Sequence, residues 1–152
     1  MYLILKHIAT LGFIGYLPFA PGTFGTLVAS LSYIMLKPSC TTTIIILIVL
    51  VPLSIYSSHF AEKMIKIRDS RHIVIDEFCG YYFATLYIPY TLFNSITAFF
   101  IFRIFDILKP FPIKKLESML KGGVGIVADD ILAGIYTNIT IQVILLIDRK
   151  WI

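Results

Sequence analysis

FCGYYFATLYIPYTLFNSITAFFIF, residues Phe78–Phe102, runs for 25 residues without a formal charge. About 20 apolar residues cross a hydrocarbon core, so this length alone fits one membrane span. The charges on either side argue against a single crossing. Residues 62–77 hold Lys63, Lys66, Arg68 and Arg71, and residues 103–130 hold Arg103, Lys109, Lys114, Lys115 and Lys121. Basic loops stay on the cytoplasmic side, so both belong on the same face. Pro89 divides the stretch into apolar pieces of 11 and 13 residues, and a proline interrupts a helix by removing a donor and clashing with the preceding turn. The expected structure is therefore a helical hairpin, or re-entrant pair, around Pro89. It returns Asp76 and Glu77 to the same face as Asp106.

The composition supports this reading. Hydrophobic residues make up 58% of the 152 residues and charged residues 14%, with a mean hydropathy of +0.87. A soluble domain of this size has too much surface to cover with so few charges. The expected fold class is all-α: a single domain, residues 1–152, built as a compact integral-membrane bundle of short and broken apolar helices. The net charge of +4 comes from bases set between apolar runs, which fits anionic lipid rather than nucleic acid. Cys40 and Cys79 have neither a disulfide framework nor zinc spacing. Lys6, His7, Pro18 and Pro21 are out of place in a cleavable signal.

Outward from the hairpin, residues 8–36 lack acids, lysines and arginines but are broken by Gly12, Gly15, Pro18, Pro21, Gly22 and Gly25. The segment APGTFG, Ala20–Gly25, reads as a turn whose Thr23 caps a helix beginning near Phe24. That helix, ending at Leu36, is about 18 Å long and does not cross a bilayer unaided. Thr41–Ser58 is long enough to span, with Pro52 inside. After the flexible approach of Gly122, Gly123 and Gly125, Asp129 and Asp130 open a last helix over Ile131–Ile147. Asn138 and Gln142 are its expected interhelix hydrogen-bonding groups. Arg149, Lys150 and Trp151 read as an interfacial anchor.

Nine acids occur in the chain, and Asp76, Glu77, Asp106, Asp129 and Asp130 all flank apolar helices at one face. Clustered carboxylates around a cavity are a Mg²⁺ ligand set. Arg103 and Lys109 suit a phosphate oxyanion. The helix start at Gly22 and Thr23 adds free N–H groups and a positive dipole end. Together these residues describe a phosphoryl-transfer site, against the plainer alternative of interfacial charges at helix ends. A non-enzymatic cation path or scaffold is the rival class, but a cation path should place an acid in mid-span, and none is found there. His7, His59 and His72 are isolated. His59 reads as a packed residue, Cys79 as a small buried one, and His72 as a neighbour of the acid pair.

Four stretches carry a resemblance to a known family: APGTFGT (20–26), the segment containing IVIDEF (69–80), FRIFDILKPFPI (102–113) and GGVGI followed by DD and LAG (122–136). In this order they resemble phosphatidylglycerophosphatase A, a bacterial inner-membrane lipid phosphatase family. The resemblance implies Mg²⁺-dependent hydrolysis of phosphatidylglycerophosphate to phosphatidylglycerol and phosphate, at a site facing the cytoplasm in a multi-pass protein. It maps the family's acids onto Asp69, Asp76, Glu77, Asp106, Asp129 and Asp130, its bases onto Arg103 and Lys109, and its threonine onto Thr23. Metal binding is then expected of Asp76, Glu77, Asp129, Asp130 and Asp69, and catalysis of Asp106, Asp76, Glu77 and Asp130. Phosphate binding is expected of Thr23, Gly22, Arg103 and Lys109. Ser70 and Ile75 depart from the family's usual residues without touching a charged group. A lipid-phosphate phosphatase of different headgroup preference remains the alternative enzyme.

Overall fold

A computed structural model describes residues 2–67 and 70–148. Its regular elements are α1 (Tyr2–Ala9), α2 (Pro21–Leu36), α3 (Cys40–Ile65), α4 (Ile75–Thr85), α5 (Leu92–Leu108), α6 (Ile113–Met119) and α7 (Gly122–Asp148), with a 3₁₀ turn at Ile14–Tyr16. The described residues contain no strand, so the all-α expectation holds.

Local chemistry sets the boundaries. The Ser39 hydroxyl caps α3 by accepting from the Thr42 amide at 3.1 Å, and Thr91 caps α5 by accepting from Asn94 at 3.0 Å. Lys66 and Lys109 end α3 and α5 in the left-handed conformation, each returning its N–H to the last turn. Between α4 and α5 the chain turns through Leu86–Thr91, and Asn94 Nδ2 donates to the Pro89 carbonyl at 2.8 Å. The hairpin around Pro89 is present.

Two boundaries differ from expectation. Helix α2 starts at Pro21, with Ala20 before it and no side-chain cap. Proline is well suited to a first helical position, where its missing N–H is no loss. Thr23 therefore lies in the first turn and does not cap it. At 16 residues, α2 is about 24 Å long, still short of a hydrocarbon core. Helix α7 begins at Gly122, so Asp129 and Asp130 sit two turns inside it. Its glycines are packing sites: a Cβ on Gly123 would strike the Ile55 carbonyl and come within 2.8 Å of the His59 amide nitrogen on α3. Arg149, Lys150 and Trp151 lie outside the described residues, as does Asp69.

Helices α3 and α7 are each long and apolar enough to cross a membrane, and 28% of each apolar window is buried in the protein. The rest faces outward: Ile48 is 67% exposed and Leu146 60%. Such continuous apolar surface fits lipid. The inner faces meet in a core of Tyr33, Tyr81, Tyr82, Val127 and Ile141. Tyr33 packs edge-on against the Tyr81 and Tyr82 rings at 6.2 and 5.9 Å.

Polar side chains tie together the end away from the site. Asn138 on α7 donates to the Ala84 and Leu86 carbonyls at 3.1 and 2.5 Å, satisfying the end of α4. Gln142 bonds Asn138 at 2.6 Å within the same helix, so it braces the interhelix contact instead of making one. The starts of α2 and α4, the end of α5 and the first half of α7 converge at the opposite end.

Candidate functional site

Helix α4 begins immediately after Val74, whose N–H donates to the Ala9 carbonyl at 2.9 Å. Asp76 and Glu77 thus fall in its first turn, where the helix dipole favours negative charge. One turn further on is Gly80. A Cβ there would lie 2.6 Å from the Asp130 carbonyl oxygen and 2.7 Å from the Phe102 ring. Gly134 is pressed in the same way against the Gly80 carbonyl. The two glycines let α4 and α7 cross almost backbone to backbone. Asp76 precedes Gly80 by one turn and Asp130 precedes Gly134 by one turn, so the crossing carries the acids to one another.

The consequence is a compact carboxylate cluster. One oxygen each from Asp76, Glu77 and Asp130 lies within 4.8 Å of the others. Asp76 and Asp130 are 6% and 4% exposed. Glu77 Oε2 and Asp130 Oδ1 are buried with no hydrogen-bond partner among the described residues. Glu77 lies before the apolar part of α4 and outside the two long spanning helices. Burial, reinforced by the Asp106 charge, pushes its carboxyl up to about 7, although a hydrogen bond with Asp76 and the Arg103 charge oppose this. Buried carboxylates this close repel one another unless a cation or a proton joins them. Oxygen donors in this number fit a hard divalent ion such as Mg²⁺, which takes its remaining positions from water or phosphate.

Arg103 and Asp106 stand one turn apart on α5 and pair at 2.6 Å. Arg103 Nη1 also donates to Thr26 Oγ1 at 3.3 Å, and Thr26 Oγ1 donates to the Gly22 carbonyl at 3.0 Å. This chain of bonds holds the start of α2 against the site. Gly22 is small for a reason: a Cβ would run into Glu77 Oε1 and come within 3.5 Å of Arg103 Nη1. The first-turn N–H groups of α2, Thr23 among them, belong to the helix start that borders the Glu77–Arg103 edge.

Lys109 does not continue the α5 face that carries Arg103 and Asp106. It is the left-handed residue that ends α5. Its Nζ bonds Asp129 Oδ2 at 2.7 Å and Glu117 Oε1 at 3.0 Å. Burial alone lowers a lysine's basicity, but the Asp129 and Glu117 carboxylates outweigh it and push the ammonium above its ordinary range. Asp129 therefore turns towards α5 and α6, while Asp130, next in sequence, turns towards α4.

Five expected acids, Asp76, Glu77, Asp106, Asp129 and Asp130, thus gather with Arg103, Lys109 and Gly22 at the converging helix ends. Sequence reading missed Thr26, the fully buried hydroxyl that seats Arg103, and Glu117, the second partner of Lys109. Thr26 stands one turn beyond Gly22 on the same helical face, and that spacing was the available signal. His72 holds the N-terminal loop: its Nδ1 is 2.7 Å from the Gly15 carbonyl and its ring stacks on Tyr16. Cys79 is fully buried in the core.

The family model for phosphatidylglycerophosphatase A matches residues 7–145. Phosphatidylglycerophosphatase A of Haemophilus influenzae is 34% identical over 89% of this chain and 85% of the relative, and that of Escherichia coli is 32% identical over 95% and 84%. A Bacteroides thetaiotaomicron protein with the provisional name phosphatidylinositol-3-phosphatase is 38% identical over 85% of this chain and 86% of its own. No solved structure matches the chain. With the family model covering most of its length and two relatives of that name more than 30% identical over most of the chain, this chain belongs to the phosphatidylglycerophosphatase A family and is a phosphatase.

Proposed function

We propose that this protein is a Mg²⁺-dependent phosphatase that hydrolyses the terminal phosphomonoester of phosphatidylglycerophosphate, giving phosphatidylglycerol and inorganic phosphate. The observation that carries this reading is the approach of Asp76, Glu77 and Asp130 within 4.8 Å, next to the Arg103–Asp106 pair. These three carboxylates would hold the ion. When bound, it supplies charge neutralisation and polarisation of a phosphoryl oxygen.

The remaining chemistry belongs to the chain. Arg103 offers a guanidinium whose Nε has no partner among the described residues, a donor suited to a phosphate oxygen. The α2 start, with Gly22 and Thr23, adds N–H donors. Lys109 adds positive charge at the phosphate edge and fixes Asp129, which supports the cluster from the α6 side. Asp106 takes the proton of the attacking water. As the water oxygen bonds to phosphorus, the ester P–O bond breaks, the glycerol oxygen leaves and takes a proton from solvent, and Asp106 returns its proton to solvent. The basic loops on either side of the hairpin support a multi-pass topology with this end at the cytoplasmic face of a bacterial inner membrane. The headgroup then reaches the acids while the acyl chains stay in the bilayer.

A second headgroup is favoured by one observation, the 38% identity to the Bacteroides relative. Phosphate release from phosphatidylglycerophosphate and from phosphatidylinositol 3-phosphate, by detergent-purified protein with Mg²⁺, separates the two. At least about tenfold faster release from the former is expected, a difference of roughly 1.4 kcal/mol in transition-state binding. The reverse preference assigns the inositol headgroup. Release from neither, in folded protein, rejects the phosphatase reading.

A further inference from the structure

Three clefts, of about 460, 440 and 460 Å³, follow one another along α3. Lys63, Lys66 and Lys121 wall the first, with Glu62 beside them. The second shares Lys121 and adds Tyr56 and His59. The third shares Pro52 with the second and is otherwise lined by apolar side chains such as Ile48 and Phe83. The α3 residues concerned recur every three or four positions (Ile44, Ile48, Pro52, Ile55, His59, Lys63), which places them on one helical face, and Lys66 follows as the residue that ends the helix. The clefts therefore form one groove. No residue of the carboxylate cluster lines it.

Polarity along this groove is graded: three lysines against one carboxylate, then a phenol and an imidazole, then hydrocarbon. Its length fits too. From Lys63 to Ile48 is about 22 Å along the helix axis, close to one leaflet with its headgroup layer. A free anion would use only the basic end and leave the apolar two-thirds without a role.

We infer that this groove binds an anionic glycerophospholipid at a site separate from the carboxylate cluster. The lipid phosphate meets Lys63, Lys66 and Lys121, the glycerol region meets Tyr56 and His59, and an acyl chain lies along the Pro52 face. This inference does not depend on the substrate proposed above.

The test is native mass spectrometry of the detergent-purified protein titrated with dioleoylphosphatidylserine or dioleoylphosphatidylcholine, neither of which offers a phosphomonoester to the carboxylate cluster. Each lysine near anionic lipid contributes about fivefold. Wild type is expected to retain phosphatidylserine at least about tenfold better than phosphatidylcholine. The Lys63→Gln/Lys66→Gln/Lys121→Gln variant should lose that preference, while the corresponding triple arginine variant keeps it. Ile48→Trp, at a position 67% exposed, should weaken retention of both lipids by filling the trough. Equal retention of the two lipids by wild type, an unchanged preference in the glutamine variant, or loss of preference in the arginine variant overturns the inference. So does displacement of phosphatidylserine by inorganic phosphate together with normal lipid retention by Ile48→Trp, which would mark a free-anion site.

Discussion

Asp76 and Asp130 meet because each lies one turn before a glycine, and those glycines, Gly80 and Gly134, are where α4 and α7 touch. The close crossing is a packing feature with a chemical consequence. Gly80→Ala would place a methyl 2.6 Å from the Asp130 carbonyl oxygen and 2.7 Å from the Phe102 ring. Overpacking of this kind costs about 1–3 kcal/mol. A lower melting temperature in detergent is expected, together with weaker Mg²⁺ activation as the acids separate. Unchanged Mg²⁺ dependence in Gly80→Ala would show that the crossing does not set the cluster.

Glu77→Gln and Asp130→Asn each remove a buried charge whose oxygen has no partner among the described residues. In chelator above pH 7, where the raised Glu77 carboxyl is also ionised, both variants should melt higher than wild type, because buried carboxylates facing one another destabilise the metal-free fold. In Mg²⁺ they should lose activity by on the order of 10²-fold, the scale for removing one electrostatic contributor. Melting curves with and without Mg²⁺ check both directions. A variant that is less stable in chelator contradicts the repulsion argument.

The raised Glu77 carboxyl gives a pH dependence with a definite sign. Its value moves from the ordinary 4.5 up to about 7, so the folded metal-free protein holds a proton that the unfolded chain releases. Stability in chelator should therefore be highest near pH 4.5 and fall as the pH rises towards 7. Mg²⁺ replaces that proton, so the fall should flatten in its presence. Melting temperature measured across this window in both conditions reads the effect directly, and the same slope with and without Mg²⁺ counts against Glu77 as a ligand.

Lys109 and Asp129 form a partly buried pair at 2.7 Å, with side chains 24% and 7% exposed. Lys109→Met leaves the Asp129 charge without its ammonium. A loss of about 2–3 kcal/mol is expected, below the 3–5 of a fully buried pair because Lys109 is partly solvated. Lys109→Met/Asp129→Asn should recover most of the stability. A KM raised in Lys109→Met but not in Asp129→Asn identifies Lys109 as a phosphate-binding group, whereas the same rise in both limits it to positioning Asp129.

Much of this architecture was legible in the sequence. Pro89 between two charged loops is enough to require a hairpin, and the hairpin is what brings Asp76 and Glu77 back to Arg103 and Asp106. The start of α7 was not legible. Gly122, Gly123 and Gly125 have poor helix propensity, but in a buried crossing the missing side chains let α7 lie on the Ile55 and His59 backbone, and packing outweighs propensity. The Lys109–Asp129 pair joins residues 20 positions apart, for which no local signal exists. Thr26 was overlooked because Thr23, three residues earlier, looked like a cap, whereas the rigid φ of Pro21 starts the helix first.

The central claim is that Asp76, Glu77 and Asp130 hold a divalent cation needed for phosphate release. Its most direct test is phosphate release from phosphatidylglycerophosphate by the purified protein, in excess chelator and then with Mg²⁺ restored. Release that disappears in chelator, returns with Mg²⁺ and stays absent in Asp130→Asn is the predicted result. Release at full rate in chelator would contradict it.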